Sequence, residues 1–88
     1  MYNFHRIEMQ TKFKRHQKVR LLINPDPEYI EYHSEDEENI KEVPIKKGMT
    51  GRINIILPNG QYHIEIDDKN GNIIAYCAVN EEDLEAIK

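Results

Sequence analysis

An all-β fold, a small antiparallel barrel, is predicted for this chain by its turns, its alternation and the order of its segments. Asn59-Gly60 and Asn70-Gly71 are dipeptides that tolerate positive φ, and each lies between apolar segments, the arrangement that closes tight hairpins. From Tyr62 to Asp67 the apolar Tyr62, Ile64 and Ile66 alternate with His63, Glu65 and Asp67, the period of a strand with one face in a core and the other in water. Gly48-Met49-Thr50-Gly51 leads into Arg52-Ile53-Asn54-Ile55-Ile56-Leu57 before the first turn, and Ile73 to Val79 follows the second. Three strands joined by short turns make a meander. At 88 residues the chain is one domain, and such a length buries only about 60 to 65 percent of its unfolded surface.

Residues 1–17 read as a basic extension in which Tyr2, Phe4, Ile7, Met9 and Phe13 keep neither a 3.6-residue nor a two-residue period; a strand over Tyr2 to Gln10 is preferred to a helix. Residues 18–88 are the barrel. In Lys18-Val19-Arg20-Leu21-Leu22-Ile23-Asn24 the side chains of Val19, Leu21 and Ile23 share one face, which makes this the first barrel strand. Asn24-Pro25-Asp26-Pro27 stops it, because two prolines remove two donors and restrict the residues before them. Residues 25–45 form an insertion. Its Tyr29-Ile30-Glu31-Tyr32-His33 suits a short extended arm, and Ser34-Glu35-Asp36-Glu37-Glu38-Asn39 is too acidic and too poor in apolar groups to pack, so a flexible loop is expected there. Residues 73–79, apolar on both faces, suggest a strand buried centrally or covered by the N-terminal segment. Asn80 followed by Glu81, Glu82 and Asp83 reads as an N-cap residue followed by acids, as in a single helical or 3₁₀ turn, after which Leu84 and Ile87 would seal one end of the barrel. About five strands result.

The net charge of -4 hides a division along the chain. Residues 1–20 carry six Lys or Arg and one acid, whereas residues 21–45 carry one Lys and eight acids. The single cysteine, Cys77, excludes an internal disulfide and fits a reducing compartment. No apolar stretch resembles a signal peptide or approaches the roughly 20 residues of a membrane span, so a cytoplasmic location without membrane association is expected.

Chemistry-bearing patterns are few. His63, Glu65 and Asp67 project from one strand face about 7 Å apart in succession, but metal sites need ligands that converge from several elements, and a solvated face is the plainer reading. Asp67-Asp68-Lys69-Asn70-Gly71 fails as a calcium loop, because counting from Gly71 puts Ile66 and Cys77 at the ligand positions. Cys77 lies between Tyr76 and Ala78 with no base or cation in its local sequence to activate it. Ser34, the only serine, stands among acids. No enzyme, cofactor or metal is expected.

The strand ending near Asn24, the Lys47-Gly48-Met49-Thr50-Gly51-Arg52-Ile53 turn, the two hairpins and the closing Glu82-Asp83-Leu84 resemble the small bacterial SH3-like barrels. They are most similar to a bacterial family of unknown function with a Gly-x-x-Gly-x-Ile/Val turn and an ending of the type Asp-x-x-Gly-x-x-x-Ala. The Gly-x-x-Gly element also resembles the KOW motif of ribosomal and transcription factors. The likeness covers residues 18–87 apart from the acidic insertion, which departs from the compact family pattern. It implies a fold and leaves function open, since such barrels host unrelated roles.

Two functional expectations follow. The first is a non-catalytic protein-binding module, a regulator or inhibitor of a larger bacterial or phage protein. It would use Tyr29, Ile30 and Tyr32 beside Glu35, Asp36 and Glu37, since aromatic anchors among charges are what interface hot spots use. The second is RNA or ribosome contact through Lys12, Lys14, Arg15, Lys18, Arg20 and Arg52. Here cations meet phosphates, and Phe4, His5, Phe13 and His16 supply rings for stacking. Each has a plainer competitor: the acidic stretch as a solvated loop, and the basic run docked on the chain's own acids.

Overall fold

The computed structural model describes residues 11–33 and 43–87. They form one antiparallel sheet of six strands, β1 (Lys18–Leu21), β2 (Ile30–Tyr32), β3 (Thr50–Ile56), β4 (Gln61–Asp67), β5 (Ile73–Asn80) and β6 (Leu84–Ala86), in the order β2-β5-β4-β3-β1-β6. One-turn 3₁₀ helices, Pro27–Tyr29 and Glu81–Asp83, lead into β2 and β6. Among the described residues there is no α-helix, and none long and apolar enough to cross a membrane. The inward side chains of β1, β3, β4, β5 and β6 join Phe13 and Ile45 in a single buried cluster. No second layer covers that cluster among the described elements, so the sheet must curl around its own inner face to keep Ile53, Ile64, Ile66 and Ala75 fully out of water.

The meander is the expected one. β3 pairs with β4 and β4 with β5 across turns in which Gly60 and Gly71 take φ of 88° and 84°. Asp68 tightens the second turn, its Oδ1 accepting the N–H groups of Asn70 and Asn72. These bonds hold the carboxyl below its ordinary range, the Asn72 N–H first. β4 alternates buried Tyr62, Ile64 and Ile66 with half-buried neighbours, as its sequence period requires.

Two elements differ from the sequence expectation. The first strand stops at Leu21, and Ile23 is an exposed hydrophobic rather than a core one. The chain leaves β3 there: Leu22 donates its N–H to the carbonyl of Asp83, and the Asn24 side chain accepts from Lys47 N–H. Residues 73–79 are not buried on both faces, since Ala75, Cys77 and Val79 are buried while Ile74, Tyr76 and Ala78 stay half-exposed. The strand that covers the edge of β5 is β2, from residues 25–45. The single turn expected after Asn80 is the second 3₁₀ helix, with Asn80 at its N-cap; the Asn80 side chain makes no cap bond, its Oδ1 accepting instead from Gln61 Nε2.

The basic segment ahead of β1 is tied to the sheet. His16 N–H donates to the Ile53 carbonyl and Ile53 N–H to that of Gln17, with His16 at φ 71°. Phe13 is only 1% exposed and meets the Tyr62 ring edge-on, 5.5 Å between centroids. The Tyr62 hydroxyl donates to Glu81, whose Oε2 also accepts the Lys12 N–H. The hydrogen bond from Tyr62, then that from Lys12, holds the Glu81 carboxyl below its ordinary value of 4.5. A carboxyl depressed in the folded state stabilises the fold above its unfolded pKa, and that contribution disappears as pH falls through the folded value. Glu81→Gln is therefore expected to flatten the acid limb of a stability-versus-pH curve, measured by urea denaturation between pH 6 and pH 3. An unchanged acid limb would remove Glu81 from the linkage. Asp67 acts oppositely, because burial raises its carboxyl, so its contribution is present at low pH and lost as pH rises.

Candidate functional site

The residues expected to bind a protein partner divide at the start of β2. Tyr29 is 67% exposed, more than Ile55, Val43 or Ile23. Its backbone is nonetheless held: Asp26 caps the Glu28 N–H, Pro27 sets the first turn, and Tyr29 N–H donates to the Asp26 carbonyl. Ile30 and Tyr32 point inward, pair with Cys77 and Ala75, and pack on the core. The Tyr32 hydroxyl donates to the Val43 carbonyl at 2.9 Å, which makes this ring a structural anchor for the strand. Glu35, Asp36 and Glu37, and the loop expected over Ser34 to Asn39, lie outside the described residues, as do Phe4, His5 and the strand expected over Tyr2 to Gln10.

The residues expected to meet RNA are only partly brought together. Lys18 and Arg52 are exposed and stand opposite each other on β1 and β3. Arg15 reaches the carbonyl of Asn54 on β3 with Nε. Arg20 is engaged by Glu85 at 2.8 Å, the one ion pair among the described residues, and Lys12 Nζ lies over the Phe13 ring. Lys14 is exposed. Phe13, offered by the sequence as a stacking ring, is taken by the core.

The outer face carries rings that sequence reasoning did not bring together, since it weighs His63 only with Glu65 and Asp67 as a metal-binding group. His63 on β4 stacks on Tyr76 of β5, 5.5 Å between centroids and 15° between planes, and His33 meets Tyr76 edge-on at 5.7 Å. Asn54 Nδ2 and His63 Nδ1 are 3.1 Å apart, which fixes the imidazole from the β3 side. The three rings make a diagonal row from His33, just past the end of β2, across β5 and β4. The signal that would have found them is the inward alternation of Ala75, Cys77 and Val79, which leaves Tyr76 facing outward.

Glu31 of β2 and Glu65 of β4 stand directly opposite Tyr76 on either side, and Arg52 and Lys18 continue the same cross-strand line beyond Glu65. Neighbouring strands are about 4.8 Å apart, so the line reads acid, ring, acid, cation, cation at that spacing.

The remaining chemistry is quiet. Burial pushes the Cys77 thiol up to about 11, so it is held protonated and unreactive at neutral pH. Among the described residues no group of three or more His, Cys, Asp or Glu is placed to hold a metal ion, and His63, Glu65 and Asp67 remain successive outward positions of one strand. No family model, curated protein or solved structure matches the chain.

Proposed function

We propose that this chain is a non-catalytic protein-binding module of the small SH3-like barrel type, a regulator or inhibitor that engages a larger protein through Tyr29 at the entrance to β2. The observation that carries the reading is a large aromatic side chain 67% in water on a turn that is capped and anchored on both sides. With its backbone already held, this residue has only two side-chain torsions left to order when it is covered, a property that makes tyrosine an effective interface anchor. Asp26, Glu28 and Glu31 lie within three residues of it along the chain and are exposed, which favours a basic surface on the partner.

Tyr32 is not a clean test of this reading, because its hydroxyl and ring hold β2 in place. Tyr29→Ala is. Bait protein carrying that change is expected to retain at least about tenfold less partner in pull-down with mass-spectrometric identification, at an unchanged urea midpoint. Undiminished capture of the same partner would reject the Tyr29 surface. Capture that vanishes on nuclease treatment would favour RNA contact through Lys18 and Arg52, whose in-register like charges repel unless an anion relieves them.

A further inference from the structure

We propose that the outer face of β2, β5 and β4 is a receptor for an arginine side chain of the partner protein, seated against the Tyr76 ring row between Glu31 and Glu65. The inference rests on the protein-binding reading and supplies the chemistry of the contact.

Three observations lead to it. Tyr76 has a carboxylate directly opposite it on each neighbouring strand, and residues directly opposite on one face hold their Cβ atoms about 4.5 to 5.5 Å apart. Among the described residues neither carboxylate is in an ion pair, and Arg52, although opposite Glu65, does not close one. The rings are also fixed before any ligand arrives: His63 lies flat on Tyr76, His33 stands against it, and Asn54 holds His63. A rigid, half-exposed aromatic ridge flanked by two carboxylates repels phosphate and suits a planar cation. Guanidinium is such a cation, because it stacks on rings and offers a fork of donors to carboxylate oxygens in one pose. An ammonium satisfies the charge but not the plane.

The remainder of the line fixes what else the partner presents. Arg52 and Lys18 begin two strands from Tyr76, about 10 Å away, so a carboxylate on the partner at that distance from its arginine would meet them. Two residues seven apart on one helix face have a rise of about 10.5 Å between them, and a partner helix laid across the strands fits the spacing. The single change of sign along the line, acids first and then cations, also rejects partners with the opposite sequence of charges.

The test uses the whole chain and three blocked tripeptides of sequence Gly-X-Gly, with X as arginine, lysine or citrulline, the last being a neutral isostere of arginine. Binding is followed by proton–nitrogen and aromatic NMR shifts. Arginine is expected to give saturable shifts at Glu31, His33, His63, Glu65 and Tyr76. Citrulline should give none, and lysine should bind more weakly. Glu31→Gln with Glu65→Gln, both outward-facing and dispensable to the core, is expected to weaken the arginine peptide by roughly fivefold or more. Tyr29→Ala should leave these shifts unchanged, so the arginine site and the Tyr29 surface fail separately. Equal shifts with citrulline, shifts spread over the inner face or retained in the double variant, or preferential response of the ring row to a phosphodiester dinucleotide would overturn the proposal.

Discussion

Gly51→Ala is expected to be the most damaging single methyl that can be added to this protein. A β-carbon at Gly51 would lie 1.9 Å from the carbonyl oxygen of Glu65 and 2.9 Å from its carbonyl carbon. Both atoms are backbone, so no rotamer change relieves the overlap, and β3 and β4 must separate where Gly51 faces Ile66. That pair joins two of the three longest strands and carries the buried Ile53, Ile64 and Ile66. A loss of about 3 kcal/mol or more is expected, a large part of the roughly 5 to 15 kcal/mol that holds a small domain together. With a urea m-value of about 1 to 3 kcal/mol/M, the midpoint should fall by at least about 1 M. A midpoint within experimental error of the parent would mean that the two strands do not approach as described. The Gly-x-x-Gly element thus owes its second glycine to contact with the neighbouring strand's backbone, whatever it binds.

Phe13→Ala should rank next. The ring is 1% exposed, meets Tyr62 at 5.5 Å and belongs to the same buried cluster as Val19, Leu21 and Leu84. Removing a buried phenylalanine side chain typically costs about 3 to 5 kcal/mol through lost transfer energy and the cavity left behind. Phe13→Leu, which fills most of that space, should recover more than half of the loss in the same denaturation experiment. A loss below about 1 kcal/mol in the alanine variant would show that the segment ahead of β1 is an accessory rather than a part of the core. Lys12 and Lys14 flank a core residue, which limits how far this basic segment can move toward a phosphate backbone without unfolding the end of the barrel.

The meander was legible because its signals are local. Turn chemistry at Asn59-Gly60 and Asn70-Gly71 and the two-residue period of Tyr62 to Asp67 are set by φ preferences and by side-chain direction along one strand, and both need only neighbouring residues to be read.

What lay beyond the sequence was every property that depends on which strand lies next to which. Phe13 reads locally as an aromatic in a basic run, and only its distance from Tyr62, 49 positions along the chain, makes it a core residue. Ile30 and Tyr32 look like an exposed arm until β5 offers them a ladder and an inner face. Ile23 continues an apolar alternation that ends once the chain turns away from β3. The line Glu31, Tyr76, Glu65, Arg52, Lys18 is drawn from five strands, and a one-residue slip in any pairing would send the side chains of that strand to the other face. The chain by itself determined where strands begin and turn, because backbone conformational preference is local; register and the curl of the sheet decided which side chains meet, because burial of a shared core is not.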